Sequence, residues 1–181
     1  MISRLRVRND TLKKILQNLS FLFFVTFLTS CGVLDAPIKA YKSAKNYVFP
    51  PGEKLYWKSL DILIRENANM DYPIAIDITL IKNDALLKKI LELDSNKWFE
   101  QKKTLLKTFS EDIVVRSWEL APGDGVAVSK KFFEDERVFG ALVFAKYFND
   151  GDYKARIDNL EGIVVIDFDI DEFNAYAIKP N

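Results

Sequence analysis

One thiol and no imidazole bound the chemistry open to this 181-residue chain: Cys31 is the single cysteine, and histidine is absent. Without histidine there is no Ser-His-Asp triad, no Cys-His pair and no imidazole ligand for zinc or iron. The seven glycines are scattered, and Gly123-Asp124-Gly125 reads as a hairpin-like turn rather than a phosphate cradle. Carboxylates remain. Asp150, Asp152, Asp167, Asp169, Asp171 and Glu172 are of the type that binds calcium or works as an acid–base pair. In Asp167-Phe168-Asp169-Ile170-Asp171 the acids alternate with apolar residues, so three carboxylates would share one strand face. The run lacks the glycine and the closing glutamate of an EF-hand loop, and a solvated strand face running into a turn accounts for it better. Glu134-Asp135-Glu136 beside Lys130-Lys131 is likewise an exposed charged turn. Trp118, Phe144, Tyr147 and Phe168 could line a ligand pocket, but such residues far more often fill a sandwich core. No catalytic residue, metal ligand or cofactor is assigned, and the chain is expected not to be an enzyme.

Cys31 gains meaning from what precedes it. Arg4, Arg6, Arg8, Lys13 and Lys14, offset by Asp10, are followed by an apolar run from Ile15 to Leu28 and then by small residues. That is the pattern of a secretory signal peptide over residues 1–30, which is set aside from fold reasoning. The run is about 14 residues and is diluted by Gln17, Asn18 and Ser20, whereas a spanning helix needs roughly 20 apolar residues. An uncleaved anchor is therefore disfavoured. Leu28-Thr29-Ser30-Cys31 resembles the bacterial lipobox, in which the cysteine is lipidated and becomes the first mature residue. A stray buried thiol is a poor alternative, because exported proteins usually pair their cysteines or lack them. Lipid on Cys31 would hold the protein on a membrane, each buried methylene contributing about 0.8 kcal/mol. Gly32 is not aspartate, so by analogy with enteric bacteria the inner-membrane retention signal is missing and outer-membrane sorting is expected.

Residues 1–30 hold 5 of the 26 basic and 1 of the 26 acidic side chains, which leaves 21 basic against 25 acidic, a net of −4, in the 151 residues that follow. A mildly acidic body of that size has room for one domain, no basic patch for nucleic acid and no polybasic face for anionic lipid. Its stability must come from packing, since no disulfide is available.

The elements follow from periodicity. Residues 31–52, with Pro37, Pro50 and Pro51, read as a lipidated tether, and 53–181 as the folded periplasmic domain. A strand is expected over Leu55 to Arg65 and a second over Ile74 to Ile81, with Asn67-Ala68-Asn69-Met70-Asp71-Tyr72-Pro73 turning between them. The two look like antiparallel neighbours. Asn83-Asp84 and Asp94-Ser95 are start signals for helices near 85–93 and 96–108. In the second, Trp98, Phe99, Lys102, Leu105, Leu106 and Phe109 fall near helical spacing, to pack on the sheet or at its end. Strands resume at 113–120, 126–129, 138–148, 154–157, 162–168 and 172–178, and the 138–148 run is apolar enough to be buried on both faces. Seven or eight short strands separated by turn signals predict a mainly β, two-sheet antiparallel sandwich with a helical insertion between the second and third strands.

With Asn67, Asn69, Asp71 and Pro73-Ile74-Ala75-Ile76-Asp77-Ile78, then a helical stretch, the Pro122-Gly123 turn and Gly140-Ala141-Leu142-Val143-Phe144-Ala145-Lys146-Tyr147, the chain resembles the type VI secretion outer-membrane lipoproteins, the TssJ-like family. The resemblance implies a transthyretin-like sandwich with a helical addition. It also implies a role: tethering the secretion membrane complex at the outer membrane by binding the periplasmic domain of the inner-membrane component, TssM-like in kind. In that family the loop after the first strand takes part in the contact, which maps here to Asn67, Ala68, Asn69, Met70, Asp71 and Tyr72. Competing readings are a pilotin or assembly factor of another envelope machine, and an exported hydrolase or carbohydrate-binding lipoprotein working through acidic and aromatic side chains.

Overall fold

The structure, a computed structural model, describes residues 51–178 apart from residue 134. The expected leader 1–30, Cys31, the tether to residue 50, Glu134 of the charged turn and the last three residues lie outside the described residues.

Two four-stranded sheets face each other. In chain order the strands are β1 (Glu53–Lys54), β2 (Tyr56–Ile64), β3 (Ile74–Ile81), β4 (Ile113–Leu120), β5 (Gly125–Ser129), β6 (Arg137–Val138), β7 (Gly140–Lys146), β8 (Lys154–Ile157), β9 (Glu161–Phe168) and β10 (Phe173–Ile178). One sheet runs β10-β9-β2-β5 and the other β4-β3-β7-β8, while β1 and β6 form a small two-stranded ribbon of their own. Helices α1 (Asp84–Leu91) and α2 (Ser95–Thr108) fall between β3 and β4. The mainly β two-sheet sandwich and the place of its helical insertion agree with the sequence. No helix among the described residues is long and apolar enough to cross a membrane.

Side-chain alternation explains the layers. Leu60, Ile62 and Ile64 of β2 meet Ile74, Ile76, Ile78 and Leu80 of β3 across the interior, together with Val143, Val164, Ile166 and Phe168. The opposite faces of β3 and β7 are also largely buried, with the polar Asp77 and Thr79 of β3 among their residues. There Ile81, Leu142 and Phe144 pack under Leu86, Leu87, Ile90 and Trp98 of the helices. β7 is thus buried on both faces, as its unbroken apolar run requires. Both helices begin where the sequence marks them: Asn83 Oδ1 accepts from Leu86 N at 3.1 Å and Asp94 Oδ1 from Lys97 N at 2.8 Å.

Two expectations about pairing are corrected. β2 and β3 are not neighbours; they lie in opposite sheets, because each carries a full interior row of aliphatics and the two rows bury each other. β2 instead pairs with β9, and in parallel, from Tyr56↔Glu161 to Ile64↔Phe168. Parallel partners need a long crossover, supplied here by residues 65–160. A register shift between Trp57 and Ser59 marks a bulge in β2. It turns Trp57 inward in phase with Leu60, with the indole Nε1 donating to the Asn159 carbonyl at 3.1 Å.

Candidate functional site

Four loops meet at the end of the sandwich where β2 and β9 finish. Backbone hydrogen bonds join three of them: Gly123 N to Ile64 O at 3.1 Å, Ile64 N to Asp124 O at 2.9 Å, and Arg65 N to Phe168 O at 3.0 Å. The chain enters the fold at the other end of β2, a nine-residue strand that separates the two ends by about 30 Å.

At the centre of this end stands the segment Asn67 to Tyr72. Ala68–Asp71 is a short, irregular turn of helix in which Asn69, Met70 and Asp71 all take positive φ, at 50, 53 and 69°. Three consecutive non-glycine residues there are strained by about 1–2 kcal/mol each, so other contacts must impose the shape. Asn69, 2% exposed, supplies them. Its Nδ2 donates to the carbonyls of Tyr72 and Pro73 at 3.0 and 2.9 Å, and its Oδ1 accepts from Phe148 N at 2.6 Å. Its backbone N–H points at the carbonyls of Ile170 and Asp169, 3.0 and 3.3 Å away. One buried residue therefore ties the loop to the turn after β7 through its side chain and to the turn after β9 through its backbone. Ala68 is buried beside it, and Asn67 is exposed.

What the loop presents is apolar. Met70, Tyr72, Phe148 and Ile170 are each about half exposed, at 45–59%. Tyr72 stacks on Phe148 with centroids 4.4 Å apart at 12°, and Asn149 Nδ2 approaches the Met70 sulfur at 3.5 Å. Exposed acids border the patch in sequence: Asp71 after Met70, Asp150 after Phe148, and Asp171 and Glu172 after Ile170. Phe148 and Ile170 were not among the residues expected from sequence. Their contribution comes from contacts 79 or more residues apart in the chain, and no local pattern announces those.

Of the six candidate carboxylates, Asp152, Asp167 and Asp169 are engaged elsewhere in the fold. Arg65 Nη2 donates to Asp167 at 2.7 Å, and Nη1 to Asp169. Asp152 accepts from Ser95 N at 3.2 Å and lies 3.5 Å from Lys154 Nζ. In the charged turn, Asp135 pairs with Lys54 at 3.0 Å and Glu136 with Lys82 at 2.6 Å. Among the described residues no group of three carboxylates or thiols is placed to hold a metal ion. Of the four aromatics, Tyr147 and Phe168 sit in the sandwich core and Trp118 packs partly buried against it. Phe144 lies on the opposite face, stacked under Trp98 at 4.6 Å.

Tyr147 also braces the loop end. Its hydroxyl donates to the Glu172 carbonyl at 2.6 Å, with the Asp169 carbonyl 3.3 Å away. Burial, reinforced by Tyr153 and Asp169, pushes the phenol well above its usual value. A raised folded-state pKa means that the stabilisation is complete below about pH 10, where the unfolded phenol begins to ionise, and is lost as pH rises beyond it. The wild type is therefore expected to lose stability above pH 10 more steeply than Tyr147→Phe, by up to about 1.4 kcal/mol per pH unit. Urea titrations at pH 8 to 11.5 measure this; parallel curves would remove Tyr147 as the cause.

One buried anchor was missed altogether. Asp77, 1% exposed, lies beneath α2 and accepts from Trp98 Nε1 at 2.8 Å, Lys102 Nζ at 2.8 Å and Ser117 Oγ at 2.6 Å. The lysine on the otherwise apolar side of α2 is the signal that pointed to it.

No family model and no curated protein sequence matches the chain. Solved structures do. The chain is similar to the type VI secretion lipoprotein TssJ1 from Pseudomonas aeruginosa, with 14% identity and a TM-score of 0.54 over 72% of this chain and 100% of that one. It is also similar to a chain of a structure described as a type VI membrane complex, with 19% identity and a TM-score of 0.52 over 67% of this chain and 97% of that one. At such identities the likeness establishes the fold, a β-sandwich of the kind seen in the TssJ lipoprotein.

Proposed function

We propose that this chain is a TssJ-like lipoprotein of a type VI secretion membrane complex, anchored through lipid on Cys31 at the periplasmic face of the outer membrane. In this reading it docks the periplasmic domain of the inner-membrane, TssM-like component through the loop Asn67–Tyr72. The observation that carries it is the preformed loop end. A strained segment, held by one buried asparagine, presents Met70 and Tyr72 beside Phe148 and Ile170. Exposed large apolar residues gathered on a rigid support are typical of protein-binding surfaces. Strain of this kind persists at sites where geometry is used. The fold likeness to a type VI lipoprotein supports the same reading.

Anchoring and docking are tested separately. In cells, Cys31→Ser is expected to move the protein from the membrane to the soluble periplasmic fraction with its unfolding midpoint unchanged. A variant that stays with the membrane would mean that the leader serves as an uncleaved anchor. The wild type is expected to co-purify with the inner-membrane component of the same complex. Failure to do so at any expression level would remove the docking role.

A further inference from the structure

The helices cover only part of the outer face of the β4-β3-β7-β8 sheet. Asp77 is sealed under α2, but Ala75, two residues earlier on the same face, is partly exposed. Beyond the helices lies a cleft of about 260 Å³ with Ala75 as its floor and Tyr72, Pro73 and Phe148 as its wall. The stacked Tyr72–Phe148 pair is therefore both part of the apolar patch and one side of a recess. Glu119 and Lys146, both exposed, are the register partners of Ala75 on its two sides. Two strand spacings put their backbones about 10 Å apart, with the floor between them.

This recess is smaller than the roughly 300–1,000 Å³ of small-molecule sites. Its size and aromatic wall suit one large side chain of a protein partner, the usual form of an interface anchor. The flanking charges are of opposite sign at a fixed separation, so they select a complementary pair and set its direction.

We propose that the docked periplasmic domain inserts one large apolar side chain into this cleft, flanked by a basic group facing Glu119 and an acidic group facing Lys146. The proposal rests on the docking reading above and adds the cleft to the loop as a selective element. The test is titration of the detergent-solubilised full-length chain with the purified periplasmic domain of its complex's inner-membrane component. Ala75→Phe fills the cleft from its floor while leaving the exposed Met70 and Ile170 unchanged, and is expected to weaken binding by roughly ten-fold or more. Glu119→Lys combined with Lys146→Glu keeps the net charge and reverses the pattern. It is expected to weaken binding by several-fold, and it tests the same cleft should Ala75→Phe fold poorly. Wild-type affinity for both variants, alongside loss of binding in Met70→Asp/Ile170→Asp, would overturn the cleft and leave the docking loop standing. No change in any of the three would remove the docking reading as well.

Discussion

Asn69→Ala is expected to destabilise the fold by about 3 kcal/mol, well above the cost of a typical single substitution. The buried amide makes three side-chain hydrogen bonds, and its loss strands the Phe148 N–H and the Tyr72 and Pro73 carbonyls. Alanine also tolerates φ near 50° less well than asparagine does. Two further variants separate the causes. Asn69→Gly relieves the backbone and restores only a fraction of the stability. Asn69→Asp keeps an acceptor for Phe148 but turns a carboxylate toward two carbonyls, so it is expected to be no better than alanine. Equilibrium unfolding in urea measures all three, and partner affinity should fall with them because the loop loses its imposed shape. A loss below about 1 kcal/mol for alanine would mean that the loop is held by something other than this residue.

Asp77→Ala should be comparably costly, at about 3 kcal/mol. A buried carboxylate with three donors is removed, leaving the Trp98 indole N–H without an acceptor and Lys102, one-quarter exposed, without its counter-charge. Lys102→Met alone is also expected to destabilise, because it leaves Asp77 charged and only partly compensated. The double variant should cost less than the sum of the two singles, since neither residue then remains buried without its partner. Strict additivity in a double-mutant cycle would mean that the two side chains do not act as a pair in holding α2 on the sheet.

How far the fold could be read from sequence depends on the range of the interactions involved. Period-2 runs placed β2, β3 and β4 because one buried face suffices to impose alternation. Asn83 and Asp94 marked the helices because a cap acts within three residues. The sheet partners were not legible: alternation tells which face is buried but not which strand lies alongside. That is why the parallel β2–β9 pair and the separation of β2 from β3 emerged only in three dimensions. The loop shows the same division. Asn69 and Asp71 are residues that tolerate positive φ, so a turn was readable, but nothing local signals that Met70 would join them. Phe148 and Ile170 complete the patch through a hydrogen-bonded junction of three loops, beyond any sequence window. Lys102 is intermediate: a cation on the apolar side of α2 is a signal that could have been followed to a buried partner, but that the partner is Asp77 is set by how α2 packs on the sheet.

Affinity between the mature chain and the periplasmic domain of the inner-membrane component, measured by calorimetric titration, tests the docking role most directly. Wild type should bind saturably. Met70→Asp/Ile170→Asp, which removes two exposed apolar side chains while leaving the Asn69 hydrogen bonds in place, should bind roughly 100-fold more weakly with an unchanged unfolding midpoint. Equal affinities for the two proteins, or no binding by either, would contradict docking through this end of the sandwich.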